Sequence, residues 1–191
     1  MKKMFTGTAL AALVAVATPQ AAVAADYKID PAHSFVSFRI QHLGYSWLMG
    51  RFNDVTGEFN YDPSNPSASK MAIEVKTVSV DTSHAERDYH LRSADFLDVR
   101  KYPIATFKST NYVGNDSSGT LNGVLTIREI SKPVSIAVQK IGQGKDPWGG
   151  YRAGFYGTMK LNRKDFGGSY DLGPASETME LQFTVEGIRE K

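Results

Sequence analysis

Alternating apolar and polar residues recur along the chain and restrict its fold more than any other feature of the sequence. Within residues 35–41, Val36, Phe38 and Ile40 fall on one face of an extended strand, and the polar residues between them fall on the other. The same two-residue period returns in segments 73–76, 121–127, 134–141, 153–161 and 179–185. The pattern predicts a chain that is mainly β.

Short clusters of Gly, Pro, Asn, Asp and Ser separate these segments. They lie at residues 30–31, 43–44, 62–66, 115–119, 144–147, 167–168 and 172–174. Strands at this spacing, joined by short turns, indicate an antiparallel sandwich or barrel. Closure into a barrel would also leave no exposed strand edge.

Residues 81–98 break the alternation and carry few β-branched side chains. Ser83 is followed three positions later by Glu86, which is the spacing of a capping box at the start of a helix. We therefore expect one short helix within the 83–97 region.

The first 24 residues have the three regions of a secretory signal peptide. A cationic start precedes an uncharged apolar stretch over residues 5–18, and an Ala-x-Ala cleavage site ends at Ala24. The apolar stretch is shorter than the roughly 20 residues that span a bilayer, and no second long apolar run follows. We expect cleavage after Ala24 and one mature domain, residues 25–191, without an integral membrane segment.

The balance of charge disfavours several classes of function. The chain carries 22 Lys and Arg against 20 Asp and Glu, and the surplus cations lie in the first three positions. A near-neutral body offers no field to gather phosphates, so neither nucleic-acid binding nor a polybasic membrane surface is expected. The absence of cysteine excludes disulfides, Cys-ligated zinc and thiol catalysis.

Four histidines, including His84 and His90, raise the question of a metal site. Glu86 and His90 are spaced to share a helical face, but the six-residue separation of His84 and His90 gives no His-x-x-x-His pair. We expect the histidines to cap strands or to bond within local charge clusters, so no metal ligand or cofactor is assigned. An exported enzyme, such as a metal-dependent hydrolase using His84, Glu86 and His90, stays open as the alternative function.

Motifs for other catalytic mechanisms are missing from the sequence. The chain has no Gly-x-Ser-x-Gly elbow, and carboxylates such as Asp165 and Asp171 more often cap turns or pair with arginine. The glycines at 142 and 144 lead into Pro147 rather than into a helix that could hold phosphate. No catalytic residue is assigned.

Aromatic residues are concentrated in the predicted strands and in the loops beside them. A closed sheet of about eight strands has an interior that holds either core side chains or one slender ligand. Tyr45, Trp47, Trp148 and Arg152 lie beside glycine-containing turns, where they could line the mouth of an apolar tunnel. Such a tunnel suits a long lipid with a small head group. The alternative, in which the rings only fill and cover the core, is left open by the residues themselves.

Motifs from Asp26 to Gly187 resemble the YceI-like polyisoprenoid-binding proteins of bacterial envelopes. They lie at residues 38–47 (FRIQHLGYSW), 79–88 (SVDTSHAERD), 90–97 (HLRSADFL), 101–107, 132–134, 142–150, 152–155 and 171–176 (DLGPAS). The resemblance implies an extended lipocalin-like antiparallel β-barrel. It further implies a long isoprenoid in the interior, either a polyprenyl lipid or an isoprenoid quinone, and export to the periplasm of a Gram-negative bacterium. It implies no catalytic residue.

On this interpretation, the barrel wall and its mouth supply the binding residues. The wall candidates are Phe38, Ile40, Phe59, Ile73, Val75, Phe107, Leu125, Phe155 and Phe183. The candidates at the mouth are His42, Tyr45, Trp47, Arg87, His90, Arg92, Trp148 and Arg152. An arginine there could donate to a quinone carbonyl or a pyrophosphate, or it could instead pair with a carboxylate such as Asp88, Asp95, Asp165 or Asp171. The near-neutral charge permits a homodimer without requiring one.

One hairpin departs from the family pattern. Where the family usually has a glycine, this chain has Arg128-Glu129-Ile130-Ser131. Because Glu129 disfavours the positive φ that glycine supplies, a longer or differently shaped turn is expected here.

Overall fold

The computed structural model of this protein describes residues 24–191. The expected signal peptide, apart from Ala24, lies outside these residues. Within the described range, no helix combines the length and the apolarity needed to cross a membrane.

Residues 24–191 form eleven strands, one α-helix and four single-turn 3-10 helices. The strands are β1 (Ala25–Ile29), β2 (Phe35–His42), β3 (Ser46–Phe52), β4 (Val55–Tyr61), β5 (Lys70–Lys76), β6 (Val80–Asp81), β7 (Ile104–Gly114), β8 (Ser118–Ile127), β9 (Ile130–Lys145), β10 (Tyr151–Asn162) and β11 (Thr178–Arg189). The helix is α1 (Ala85–Arg92), and the 3-10 turns are Pro66–Ala68, Thr77–Ser79, Arg163–Phe166 and Pro174–Ser176.

Eight of these strands close into an antiparallel barrel. Neighbours around the ring follow the order β1, β4, β5, β7, β8, β9, β10 and β11, and β11 then pairs with β1 to close it. The prediction of a mainly β chain that folds into an antiparallel barrel of about eight strands with one short helix is confirmed.

The remaining three strands form an arm beside the barrel. β11 pairs with β2 over residues 179–184 and with β1 over residues 187–189, so β1 and β2 are successive strands along one edge of β11. β3 pairs with β2, and β6 pairs only with Arg51 and Phe52 at the end of β3. α1 follows β6. Its Asp88 holds Thr82, the residue directly after β6, because Asp88 Oδ1 accepts hydrogen bonds from the amide (2.9 Å) and the hydroxyl (2.5 Å) of Thr82.

The alternation in the sequence determines which side chains point inward. In β2, Val36, Phe38 and Ile40 are buried, and the polar residues between them are half-exposed. Gly50 lies opposite Phe38 in the neighbouring strand, where an added Cβ would overlap the Phe38 ring. The Phe38 ring can occupy this position because its neighbour across the strands is a glycine.

The start of α1 differs from the sequence prediction. The N-cap is His84, whose Nδ1 accepts a hydrogen bond of 3.3 Å from the amide of Arg87. Ser83 has a φ of 59°, and its amide donates to the Asp81 carboxylate at 2.8 Å, so it belongs to the preceding turn. The expected capping box at Ser83 is wrong because the chain turns at that residue before the helix begins.

One segment expected to lie in a loop is a strand. Residues 46 and 47 begin β3. β3 has no clear alternation in sequence because it is part of the outer arm, where Trp47 and Met49 stay exposed.

The hairpin between β8 and β9 is tighter than expected. Ile127 pairs directly with Ile130, and both residues between them have positive φ, 51° for Arg128 and 62° for Glu129. This is the backbone of a two-residue type I′ turn, so the expectation of a longer turn is wrong. Arg128 Nη1 donates to the carbonyl oxygens of Phe96 (3.0 Å) and Gly167 (2.8 Å), and these bonds help to hold the strained backbone in place.

Replacing Glu129 with glycine should stabilise the protein. Glycine adopts positive φ without the Cβ repulsion that Glu129 experiences, so Glu129→Gly should raise the free energy of unfolding by about 1 kcal/mol. Urea unfolding followed by circular dichroism measures the change. Glu129→Ala is the control, because it removes the carboxylate but keeps the Cβ. Equal stabilities of the glycine and alanine variants would show that the turn is not strained at this residue.

Candidate ligand cavity in the barrel interior

The barrel interior contains a cavity of about 480 Å³. This volume falls within the range of small-molecule binding sites in proteins, roughly 300–1,000 Å³. Inward-facing residues of the barrel strands and of β2 form a mostly apolar wall, and polar groups are confined to the two ends. A slender apolar molecule with limited polar character matches this lining.

Aromatic rings form part of the wall near one end. The Phe155 ring meets the rings of Phe59 and Tyr61 edge to face, with centroid distances of 5.6 and 5.1 Å. Tyr27 stacks on the far side of Phe59 at 4.9 Å and fixes that ring in place. The interlocked rings give the cavity a rigid apolar surface.

Twelve of the residues expected at the binding site line the cavity. They are Phe38, Ile40, His42, Phe59, Ile73, Val75, Arg87, His90, Phe107, Leu125, Phe155 and Phe183. The inward half of the strand alternation places the apolar members there, and α1 brings Arg87 and His90. That these residues contact a ligand stays a prediction.

Four of the other expected residues lie away from the cavity. Tyr45 and Trp148 are 87% and 79% exposed at the tips of hairpins. Trp47 lies on the outer face of the arm, under the guanidinium of Arg39 at 4.6 Å. Arg92 donates to the carbonyl oxygens of residues 78 (2.8 Å) and 80 (2.6 Å), so it fastens α1 to the chain that precedes it.

Arg152, the fifth, also lies outside the cavity and joins three carboxylates. Its guanidinium donates to Asp30 at 2.6 Å, to Asp146 at 3.1 Å and to Glu186. Hydrogen bonds from Arg152 and from His33 lower the pKa of Asp30 to about 2. The cluster ties the bend between β1 and β2 to β11 and to the turn between β9 and β10. Arg152 is therefore paired with carboxylates, although not with those that the sequence suggested.

We call the end of the cavity beside α1 the helix end; its polar wall residues include Arg87, His90, Arg128 and Arg163. Arg87 donates to the hydroxyl and the carbonyl oxygen of Thr82, both at 2.7 Å. Arg163 donates to the carbonyl oxygens of residues 176 (2.8 Å) and 170 (3.2 Å), and burial lowers its pKa. Within residues 24–191, no carboxylate lies within 4.0 Å of the three guanidinium groups. These arginines stabilise the loops of this end through hydrogen bonds to the loop backbone.

Three rings lie together at the helix end. The His90 ring meets Phe96 at 5.0 Å and Tyr170 at 5.4 Å, and the two other rings are 4.9 Å apart. His90 Nε2 also lies 2.8 Å from a carboxylate oxygen of Asp95. The trio packs α1 and the segment after it against the loop that precedes β11, and all three members line the cavity.

We call the opposite end the lysine end and define it by Tyr61, Asp116 and Lys140. The Tyr61 hydroxyl donates to Asp116, and Lys140 Nζ donates to Asp116 and, at 3.2 Å, to the Tyr61 oxygen. Burial and the neighbouring Asp116 raise the pKa of Tyr61. Burial opposes ionisation of Asp116, but the hydrogen bonds from Lys140 and Tyr61 outweigh it and lower the pKa of that carboxyl.

The lysine end was not predicted from the sequence. Its three residues are far apart in the chain and meet only because β4, β9 and the turn between β7 and β8 reach the same rim. One signal was available, because Lys140 continues the inward-facing series of Ile136 and Val138 in β9. A cation at an apolar position of a strand indicates a polar group in the interior.

The residues of the proposed metal-dependent hydrolase do not form a common site. His84 caps α1, His90 lies against Asp95, and Glu86 is exposed. Within residues 24–191, one group of three side chains has the spacing of metal ligands: Asp30, His33 and Glu186. Arg152 already donates to both carboxylates of that group.

A closed antiparallel barrel around an apolar cavity with polar ends defines a lipocalin-like β-barrel with an internal ligand site. The family model of the YceI-like domain matches residues 27–187. The chain therefore belongs to the YceI-like family.

Relatives and solved structures agree with this assignment. The UPF0312 protein PA0423 of Pseudomonas aeruginosa is 55% identical over 192 residues, with full coverage of both chains. The YCEI protein of Campylobacter jejuni has a similar structure, with a TM-score of 0.70, 31% identity and coverage of 80% of this chain and 91% of that one. A polyisoprenoid binding domain from Saccharophagus degradans shares the fold at 14% identity, with a TM-score of 0.64 and coverage of 86% and 98%.

Removing Arg152 should weaken the fold and change how its stability depends on pH. Arg152→Met removes the guanidinium that Asp30, Asp146 and Glu186 share and should lower the free energy of unfolding by about 2–3 kcal/mol near pH 7. Because the pKa of Asp30 is lowered in the folded state, its contribution is present above about pH 4 and is lost as pH falls towards 2.

Urea unfolding at pH 7, 4 and 2.5 tests this prediction. The variant should lose stability less steeply than the parent protein between pH 4 and pH 2.5. Arg100→Met, at an exposed arginine, is the matched control and should follow the parent protein. A parallel pH dependence of Arg152→Met and the parent would contradict the assignment.

Proposed function

We propose that this protein binds a long isoprenoid lipid, either a polyprenyl lipid or an isoprenoid quinone, inside the barrel. The observation that carries the proposal is the interior cavity of about 480 Å³ with its mostly apolar wall. The polyisoprenoid binding domain of Saccharophagus degradans, which has the same fold, supports this class of ligand.

The driving force for binding is removal of the isoprenoid chain from water. Burial of apolar surface contributes about 25 cal/mol per Å², or roughly 0.8 kcal/mol for each buried methylene group. Affinity should therefore rise with each isoprene unit until the cavity is full. A pre-formed wall of interlocked rings also limits the entropy that binding costs.

The sequence of residues 1–24 supports a role outside the cytoplasm. A signal peptide would deliver the mature domain to the periplasm, where an isoprenoid needs protection from water between membranes. We therefore propose a periplasmic carrier that holds its lipid rather than transforms it. A homodimer stays a prediction that rests on the near-neutral charge alone.

An aspartate in the wall should abolish lipid uptake. Phe155 is half-buried and lines the cavity, so Phe155→Asp removes an aromatic ring from the wall and places a hydrated carboxylate against the isoprenoid chain. Uptake of a polyprenol or an isoprenoid quinone, measured by mass spectrometry of the re-purified protein, should fall to background.

The matched control is Val124→Asp, which adds the same charge on an exposed position of β8. Circular dichroism and the midpoint of thermal unfolding establish that each variant is folded. Full uptake by a folded Phe155→Asp protein would remove Phe155 from the binding surface, and equal losses in both variants would attribute the effect to charge alone.

A further inference from the structure

We propose that Lys140, held by Asp116 and Tyr61, donates a hydrogen bond to an uncharged carbonyl head group of the isoprenoid ligand and thereby selects it over a phosphate. The inference rests on the proposed function and names the head-group chemistry and its site, the lysine end of the cavity.

Burial of the Lys140 side chain costs free energy, which indicates that the ammonium group has a function. It follows Ile136 and Val138 on the inward face of β9, lines the cavity, and is only 16% exposed. Moving an ammonium group out of water costs free energy that an ion pair only partly returns. If the cavity bound only hydrocarbon, an apolar side chain at this position would be more favourable than a lysine.

The ammonium group has a donor to spare. Lys140 Nζ carries three N–H groups, and two of them point to Asp116 and to the Tyr61 oxygen. The third N–H group has no acceptor within residues 24–191. Because the side chain lines the cavity, a ligand oxygen could accept this bond. The two bonds fix the nitrogen, so little side-chain entropy remains to be lost when a ligand oxygen accepts the third.

The charge of the lysine end favours an uncharged acceptor. Lys140 and Asp116 form an ion pair, and Tyr61 stays a neutral phenol because its pKa is raised. The three groups together therefore carry no net charge. A phosphate placed at Lys140 would also meet the carboxylate of Asp116 at close range, whereas a carbonyl oxygen accepts a hydrogen bond without adding charge.

The arginines of the helix end are less suited to this task. Arg87, Arg128 and Arg163 each donate to backbone carbonyl oxygens of loops at that end. Each guanidinium keeps N–H groups that these bonds do not use, but its positive charge has no carboxylate within 4.0 Å among residues 24–191, so it suits an anionic acceptor better than an uncharged carbonyl. At the lysine end, Asp116 balances the charge of the donor.

Affinities of three probes of equal chain length test the inference. They are an isoprenoid quinone, the isoprenoid hydrocarbon that lacks a head group, and the polyprenyl phosphate. The parent protein should bind the quinone most tightly. Lys140→Met should weaken quinone binding about tenfold, which corresponds to one hydrogen bond from a charged donor, and should leave the hydrocarbon unchanged or bound more tightly.

Two further variants make the outcome unambiguous. Lys140→Met with Asp116→Asn removes both charges, so no carboxylate is left unpaired, and it should show the same selective loss. Lys132→Met, at an exposed position of the same strand, should change no affinity.

The other results overturn the inference in distinguishable ways. Equal losses for all three probes would make Lys140 a structural residue. Tightest binding of the phosphate by the parent protein would reverse the assigned selectivity. Absence of binding of every probe to a folded parent protein would defeat the proposed function itself.

Discussion

Pairing of β11 along both of its edges is the constraint on which the rest of the structure depends. One edge pairs with β10 over residues 178–188, and the other pairs first with β2 and then with β1. The last three residues of that second edge convert an open sheet into a closed ring. Gly187 lies in this stretch, where an added Cβ would overlap the ring of Phe59. Backbone closure and the placement of an aromatic wall residue therefore occur at the same point.

Closure also explains why the barrel has an interior site at all. The inward-facing side chains of the strands are mostly apolar because they face one another across the barrel. They nevertheless leave a cavity of about 480 Å³ unfilled. Polar groups gather where the strands end, and each end satisfies them differently. At the helix end the arginines bind backbone carbonyl oxygens, whereas at the lysine end the ammonium group is balanced by Asp116.

The strand alternation predicts most of the barrel because it is a local property of each strand. It identified β2 and the inward residues of β8 to β11, and it placed Phe155 in the wall. The lysine end was not predicted because Tyr61, Asp116 and Lys140 meet only through strand register. The turn at Arg128 and Glu129 was predicted wrongly, since tertiary contacts of Arg128 hold a backbone that the residue types disfavour. The family resemblance predicted the closure that periodicity alone left open between a sandwich and a barrel.

The central claim is that the barrel holds an isoprenoid lipid, and analysis of what the protein carries tests it most directly. The mature protein should be purified without detergent from the envelope of cells that express the full chain, then extracted with organic solvent and analysed by mass spectrometry. The account predicts one isoprenoid lipid per barrel, its chain length set by the cavity. A folded barrel that yields no lipid and takes up neither added quinone nor added polyprenol would contradict it.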